Sequence, residues 1–178
     1  METLKKDYLL SGIKVIDAAS FIAGPSAATI MSDYGAEVIK IEPQNGDSLR
    51  NLITNGRMPE GPENYCWELT SRNKKSVSLN LKDEKAHNIL IDLIKEADVF
   101  ITNMPFPIRK KLKITSEDIR PHNAKLIYAS LTGYGEVGPD ADRTAYDSVA
   151  WWARSGLMDF VRPSNLSLIH ISEPTRHH

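Results

Sequence analysis

The sequence predicts an α/β protein with a Rossmann-like parallel sheet and flanking helices. Short β-branched segments alternate with helical segments along most of the chain, and strands that are joined by crossover helices form parallel sheets. Of the 178 residues, 41% are hydrophobic and 25% are charged. These values are typical of a folded globular protein and exclude a disordered chain.

A first strand, helix and strand are predicted between residues 14 and 42. Residues 14–18 (KVIDA) and 37–42 (EVIKIE) are rich in β-branched side chains, and residues 24–34 between them are rich in small ones. Proline is favoured in the first turn of a helix and glycine just after its end. Pro25 and Gly35 therefore indicate where this helix begins and ends.

The alternation continues through the middle of the chain. Residues 76–81 (SVSLNL) alternate with the period of a strand, and residues 83–97 place apolar side chains at helical spacing with charged ones opposite. Two further apolar segments, 99–102 (VFIT) and 126–130 (LIYAS), are predicted strands. Five strands are therefore expected in total.

Two regions have a weaker pattern. A short helix is predicted to start near Ser116, with Thr115 or Ser116 as its cap, and a last helix is predicted over residues 147–158. Residues 43–68 have no clear period and contain several glycines and prolines. They predict a long irregular loop, and loops of that length are usually functional or mobile.

The charge balance argues against two classes of partner. Lys and Arg number 22 against 23 Asp and Glu, which gives a net charge of −1, whereas proteins that bind nucleic acids or membrane surfaces carry excess positive charge. No apolar run reaches the roughly 18 residues of a membrane span, and the first residues do not resemble a signal peptide. Cys66 is the only cysteine, which favours a reducing, cytoplasmic location.

Sequence motifs for phosphate loops, serine nucleophiles and metal ions are absent. Residues 133–138 match the dinucleotide pattern G-x-G-x-x-G, but Pro139 and two aspartates follow, so we expect no helix there to bind a phosphate. Histidine, cysteine and carboxylate residues do not fall at metal-ligand spacing, so no metal is predicted. His87 and His122 are interpreted as solvated side chains.

The loops after the predicted strands are the first candidates for a ligand site, because open parallel sheets bind ligands at the carboxyl ends of their strands. These loops contain residues 21–25, 42–47, 103–105 and 132–135, and basic residues cluster at 72–75 and 109–113. In a nearly neutral chain such local clusters favour a phosphorylated small molecule. Taken singly, each basic cluster is more simply interpreted as solvated surface, and the Gly-Tyr-Gly segment as a turn.

Segments along the whole chain resemble one family when they are taken together and in order. They are VIDAASFIAGP, AEVIKIEP followed by GDSLR, SRNKKSVSLNLK, ADVFITNM, IYASLTGYGEVGP and AYDSVAWWARSGLM. Across residues 11–162 the chain resembles the N-terminal region of the family III CoA-transferases, or CaiB/BaiF family. This family includes the formyl-CoA, carnitine and bile-acid CoA-transferases and the α-methylacyl-CoA racemases.

The resemblance implies an architecture and a substrate class. Members have a Rossmann-like large domain and a small domain, and two chains interlock as a homodimer. Acyl-CoA and a carboxylic acid are the expected partners, with coenzyme A as a substrate and no prosthetic group.

The resemblance also implies which residues contact coenzyme A. They lie in the strand-end loops and in one later segment: Ile22, Ala23, Pro43, Leu79, Asn80, Leu81, Lys82, Asn103, Met104, Pro105, Lys111, Thr144, Ala145, Tyr146 and Asp147. Lys111 stands where the family often has an arginine for a phosphate group, so the charge is kept and the bidentate geometry is lost. Residues 144–147 correspond to the segment that approaches the thioester.

The resemblance implies an aspartate nucleophile in a Gly-Asp turn beyond the segment SGLM. No Gly-Asp follows Met158, so we expect the nucleophile to lie beyond this chain. The racemase branch pairs a histidine with the next aspartate, where this chain has Tyr146 and Asp147. A tyrosine with a pKa near ~10 is a poor base at neutral pH. A transferase is therefore favoured over a racemase, with Asp147 as a candidate active-site carboxylate.

The last residues do not continue the pattern of the others. Residues 166–176 (LSLIHISEPTR) resemble the translated end of a transposon adapter, so we interpret residues 165–178 as a foreign tail; a natural polar tail is the alternative. Residues 1–164 are then expected to be the N-terminal part of the CoA-binding large domain, in a chain that is itself inactive. A non-catalytic CoA-binding protein remains the other alternative.

Overall fold

The computed structural model describes residues 8–53, 55, 56, 59, 61–143 and 145–161. Five strands form one sheet: β1 (Lys14–Asp17), β2 (Glu37–Glu42), β3 (Lys75–Ser78), β4 (Val99–Thr102) and β5 (Ile127–Ser130). All of the pairings are parallel, and the order across the sheet is β3-β2-β1-β4-β5. The predicted α/β class with a parallel sheet is confirmed.

Helices connect successive strands, and two more come after the last strand in the chain. They are α1 (Ala23–Asp33), α2 (Tyr65–Ser71), α3 (Glu84–Lys95), α4 (Phe106–Lys111), α5 (Ser116–Ile119), α6 (Ser148–Ala153, a π-helical segment) and α7 (Leu157–Phe160). The chain divides into two units, Met1–Leu131 and Thr132–His178. The first unit contains the sheet and α1 to α5, and the second contains α6 and α7. The expected foreign tail lies outside the described residues.

The sheet buries one apolar cluster on each face, because successive side chains of a strand point to opposite faces. One cluster joins the strands to α1 and includes Val15, Ala28, Val38, Val99 and Ile101. The other joins them to α3 and α5 and includes Ile16, Ile41, Leu90, Ile94, Phe100 and Ile119. Each face is therefore covered by helices, as parallel sheets require.

Several predicted elements are confirmed with their capping residues. β2 and β4 have the predicted bounds, and α1 starts and ends within one residue of the prediction. Gly35 follows α1 with φ 95°, the left-handed conformation that glycine adopts at the end of a helix. Thr115 caps α5, and its side chain accepts a hydrogen bond from the Asp118 N–H.

Three predicted elements were wrong in part. β3 ends at Ser78 rather than at residue 81, because the chain turns after Leu79 and the Asp83 N–H donates to the Asn80 carbonyl. α2 begins inside the segment predicted as a loop, where the Asn64 side chain caps it. The single helix predicted over 147–158 is interrupted by Gly156, whose φ of 85° is incompatible with a continuous right-handed helix.

Candidate ligand-binding site

The loops that follow the strands share one edge of the sheet, which we call the carboxyl edge. Ile22 and Ala23 follow β1, Pro43 follows β2, residues 79–82 follow β3, and residues 103–105 follow β4. Because neighbouring parallel strands lie about 4.8 Å apart, these loops cover roughly 14 Å. The structure therefore brings together the candidate residues of the first unit, with Lys111 at the end of α4, the helix that follows β4.

Most of the candidate side chains at the carboxyl edge are accessible. Ile22 is 51% exposed, and the other exposed candidates are Ala23, Pro43, Asn80, Lys82, Pro105 and Lys111. Leu81, Asn103 and Met104 are half-buried. Leu79 is only 7% exposed and belongs to the apolar core, so only its backbone can contact a ligand.

A buried group of charges that the sequence analysis missed lies under this edge. Lys40 pairs with Asp47 at 3.1 Å, and Lys74 pairs with Asp17 at 2.8 Å. Lys40 and Asp17 are neighbours in the β1–β2 register. The alternation of β2 was the available signal, because it places Lys40 on the same face as buried Val38.

Lys74 connects three segments in this buried group. Its ammonium also donates to the Pro25 carbonyl at 2.6 Å and to the Thr70 carbonyl at 2.7 Å. Burial lowers the pKa of Lys74, although the Asp17 carboxylate opposes the shift. A buried charge that loses its partner is strongly destabilising, so this lysine holds α1 and α2 against the end of β1.

The basic residues clustered at positions 72–75 are ion-paired in the structure. Arg72 pairs with Asp33 at 2.6 Å, Lys75 pairs with Glu37 at 2.6 Å, and Lys74 is buried as described above. Each of these cations is thus engaged by a carboxylate. The second basic cluster, at residues 109–113, contains both buried and exposed residues. Arg109 is buried, whereas Lys110, Lys111 and Lys113 are exposed.

Glu42, at the end of β2, organises the loop after it. Its carboxylate accepts hydrogen bonds from Arg50 at 2.7 and 2.8 Å, from the Asp47 N–H at 3.0 Å, and from the Ser76 hydroxyl. Burial by itself raises the pKa of Glu42, but these hydrogen bonds lower it to about 2. The Arg50 guanidinium also stacks 3.6 Å from the Trp67 ring centroid. This part of the 43–68 segment is therefore ordered by specific contacts.

A polar cavity opens at the carboxyl edge beside this loop. It has a volume of about 230 Å³ and is lined by Phe21, Asn45, Gly46, Ser48, Asn51, Leu52 and Asn55. Amide and hydroxyl groups predominate in its lining, so it can exchange hydrogen bonds with a polar group.

The remaining candidate residues belong to the second unit. Thr144 lies outside the described residues, Ala145 is half-buried, and Tyr146 and Asp147 are exposed. Asp147 stands at the start of α6. A Cβ atom at Gly133 would lie 1.8 Å from the Ala145 Cβ, so a glycine is needed where these two segments meet.

The G-x-G-x-x-G match at residues 133–138 has the predicted context. No helix forms anywhere between residues 131 and 143, so no helix N-terminus is available there for a phosphate.

In the described part of the chain, no group of three or more His, Cys, Asp or Glu residues is placed to hold a metal ion. Within the same residues, no helix combines the length and the apolar character that a membrane crossing needs.

The fold defines a class of protein: a Rossmann-like α/β protein whose candidate ligand-binding loops lie at the ends of β1 to β4. The sequence pattern of a family described as CoA-transferase family III matches residues 10–166. The chain therefore belongs to CoA-transferase family III.

Individual relatives agree with this assignment. The chain is 40% identical over 160 residues to (R)-2-hydroxy-4-methylpentanoate CoA-transferase of Clostridioides difficile, which covers 89% of this chain and 40% of that protein. It is 43% identical over 150 residues to cinnamoyl-CoA:phenyllactate CoA-transferase of Clostridium sporogenes, covering 84% and 36%. Human succinyl-CoA:glutarate CoA-transferase is 40% identical over 157 residues, covering 88% and 35%.

Solved structures have the same fold. A CAIB/BAIF family protein from Brucella suis superposes with a TM-score of 0.78 at 30% identity, over 91% of this chain and 43% of that one. Rv3272 from Mycobacterium tuberculosis gives a TM-score of 0.78 at 32% identity, over 88% and 43%. The chain thus spans about two fifths of the length of the relatives and structures that it matches.

Proposed function

We propose that the complete protein transfers coenzyme A from an acyl-CoA donor to a carboxylic acid acceptor. The observation that supports this most directly is the family match over residues 10–166, together with the loops gathered at the carboxyl edge. Three relatives carry the name of a CoA-transferase, which supports a transferase over the racemase alternative. Coenzyme A serves as a substrate in this proposal and not as a prosthetic group.

The proposed reaction uses an aspartate nucleophile that lies beyond this chain. Its carboxylate attacks the thioester carbonyl, the C–S bond breaks, and a mixed anhydride and a CoA thiolate result. The thiolate then attacks the aspartyl carbonyl of the anhydride, which releases the donor acid and leaves an aspartyl-CoA thioester. The acceptor acid repeats these steps in reverse, so one difficult exchange is divided into easier ones.

The residues of this chain bind and orient coenzyme A in the proposal. The exposed Lys111 ammonium attracts a phosphate group of the nucleotide, as a point charge without the fork of an arginine. Ile22, Ala23 and Pro43, and residues 79–82 and 103–105, contact the rest of the molecule along the carboxyl edge. Residues 144–147 approach the thioester, with Asp147 as an active-site carboxylate.

The proposal extends to the whole protein. Residues 1–164 form the N-terminal part of the large domain, residues 165–178 are a foreign tail, and the complete enzyme is an interlocked homodimer. A single cysteine supports a cytoplasmic location. In this proposal the 178-residue chain binds coenzyme A but does not catalyse the transfer, because no Gly-Asp follows Met158.

Calorimetric titration of the 178-residue chain with coenzyme A tests the binding half of this proposal. We expect measurable binding that weakens about tenfold in Lys111→Ala, because a phosphate contact is lost, and that strengthens in Lys111→Arg. Lys95→Ala is the matched control, since Lys95 is an exposed lysine at the end of α3. Equal losses in the two alanine variants, or no binding by the unmodified chain, would contradict the proposal.

An exchange assay with labelled carboxylic acid and acyl-CoA tests the catalytic half. The 178-residue chain is expected to give no labelled acyl-CoA. Exchange by this purified polypeptide would show that the nucleophile lies within it and would overturn that part of the proposal.

A further inference from the structure

The turn between β1 and α1 has an unusual backbone. Phe21 adopts φ 69°, the left-handed region that a residue with a Cβ atom rarely occupies. It is 37% exposed and is one of the residues that line the polar cavity at the carboxyl edge. Ile22 and Ala23 follow directly, so the conformation of Phe21 sets the direction in which these residues enter α1.

Asp47 holds this conformation from the loop after β2. Its Oδ1 atom accepts hydrogen bonds from the Phe21 N–H at 3.2 Å and from the Leu49 N–H at 2.9 Å. Its Oδ2 atom lies 3.1 Å from the Lys40 ammonium, and Lys40 in turn donates to the Ala19 carbonyl at 2.9 Å. Asp47 is 3% exposed, so it is a buried anchor and does not face a ligand.

Asn103 holds the preceding residue from the loop after β4. Its Oδ1 atom accepts from the Ser20 N–H at 2.8 Å, and its Nδ2 atom donates to the Ser20 carbonyl at 2.7 Å. Both ends of the amide therefore bind the backbone of one residue. The turn is thus fixed from both sides, by a carboxylate beyond β2 and by an amide beyond β4.

We propose that Asp47 and Asn103 are positioning residues that impose the left-handed conformation of Phe21 and thereby present Ile22 and Ala23 to coenzyme A. A strained residue persists only where its surroundings determine it, and such residues cluster at ligand sites. The side chain of Asn103 then acts through the turn, because both ends of its amide bind Ser20, and its backbone is left for the proposed contact with coenzyme A. This inference rests on the proposed binding of coenzyme A at the carboxyl edge.

A double-mutant cycle between Asp47 and Phe21 tests the inference, with coenzyme A affinity as the readout. We expect Asp47→Ala to weaken coenzyme A binding about tenfold. This factor corresponds to the free-energy cost of the left-handed conformation of Phe21, which the Asp47 hydrogen bond no longer offsets. In the Phe21→Gly background the same substitution should weaken coenzyme A binding less than twofold, because glycine adopts the left-handed conformation without the Asp47 hydrogen bond. Asp47→Asn, which keeps the acceptor for the Phe21 N–H, should bind more tightly than Asp47→Ala.

Asn103→Asp provides a second variant that leaves the buried charges intact. It replaces the donor to the Ser20 carbonyl by a repelling oxygen and should also weaken binding severalfold. Asn123→Asp is the matched control, because the Asn123 amide donates to the carbonyls of Ile94 and Ala97, away from the carboxyl edge. This control should change the stability of the fold and leave coenzyme A affinity within twofold.

Hydrogen exchange of the Phe21 amide separates this inference from the proposed function. The amide should exchange slowly in the unmodified chain and about tenfold or more faster in Asp47→Ala, but not in Asn123→Asp. An unmodified chain that shows this pattern without binding coenzyme A would refute the proposed function and support the role of Asp47 in holding the turn. Equal losses of affinity from Asp47→Ala in both backgrounds, or fast exchange of Phe21 in the unmodified chain, would overturn the inference.

Discussion

Glu42 illustrates how a single carboxylate can fix a loop of the candidate site. Four hydrogen-bond donors from Arg50, Asp47 and Ser76 surround it, and only 4% of its side chain is exposed. Hydrogen bonds to an ionised group are stronger than neutral ones. The loop that carries Asp47 therefore depends on the negative charge of Glu42.

The first prediction follows from the pKa of Glu42, which lies at about 2 in the folded protein against an ordinary 4.5. A lowered pKa contributes stability that is complete above the ordinary value and is lost as the pH falls toward the folded value. We expect Glu42 to contribute at most about 3 kcal/mol to the free energy of unfolding. Solvent screening at the partly exposed Arg50 reduces this value, and the contribution should disappear between about pH 5 and pH 2. Urea unfolding at a series of pH values measures it.

Substitution of Glu42 isolates its share of the pH dependence. The unfolding free energy of Glu42→Gln should vary less between pH 5 and pH 2 than that of the unmodified chain. Glu37→Gln is the control, because Glu37 pairs with Lys75 in solvent, where both side chains are well exposed. An identical pH profile for Glu42→Gln and the unmodified chain would show that the Glu42–Arg50 pair does not form.

At the scale of elements, helix α1 approaches the end of β1 so closely that a side chain at position 24 would not fit. Gly24 is buried in the first turn of α1, and a Cβ atom there would lie 2.3 Å from the Ala19 Cβ. This contact sets the position of α1 relative to the turn at residues 20–22. The small residues of the sequence thus serve packing as well as access for a ligand.

Gly24→Ala should destabilise the protein although alanine is the better helix former. The gain from helix propensity is about 1 kcal/mol, whereas overpacking of this kind costs roughly 1–3 kcal/mol, so we expect a net loss of up to about 2 kcal/mol in urea unfolding. The double variant Ala19→Gly with Gly24→Ala should recover much of it. Ala27→Gly, at an exposed position of α1, should lose about 1 kcal/mol through propensity alone. A Gly24→Ala protein more stable than the unmodified chain would refute the close contact.

The sequence predicts elements well where the local pattern and the tertiary environment agree. The amphipathic period of α3 and the β-branched runs of β2 and β4 are such cases, because burial of one face or both faces selects these residues. α2 was missed for a physical reason, whereas Gly156 was itself a local signal against a continuous helix. α2 is seven residues long and depends on the Asn64 cap and on packing against α1, and neither contribution produces a repeating pattern.

At the scale of the whole molecule, topology predicts the place of the site better than its chemistry. Once alternation of strands and helices indicates a parallel sheet, the loops after the strands must share one edge, and the structure confirms this for β1 to β4. The buried pair of Lys74 and Asp17 joins residues 57 positions apart. Long-range partners of this kind have no local signature, so the basic segment around Lys74 predicts solvated surface, whereas the side chain of Lys74 is buried.

The parallel sheet also makes a prediction about where coenzyme A does not bind. A groove of about 310 Å³ lies at the opposite edge, lined by residues such as Lys14, Glu37, Ile89 and Leu93. Strands of four to six residues separate the two edges by roughly 13–20 Å at about 3.3 Å per residue. A ligand at one edge therefore leaves the amides at the other in an unchanged environment.

Amide chemical shifts of the 178-residue chain, recorded with and without coenzyme A, test this separation. We expect shifts at Ala23, Asn80 and Met104 and none at Lys14 or Leu93, because only the carboxyl edge carries the proposed contacts. Titration with pantetheine, which lacks the nucleotide phosphates, should leave the amide of Lys111 unshifted while retaining part of the other changes. Shifts concentrated around Lys14 and Leu93 would place the ligand in the groove at the opposite edge and would contradict the assignment of the carboxyl edge.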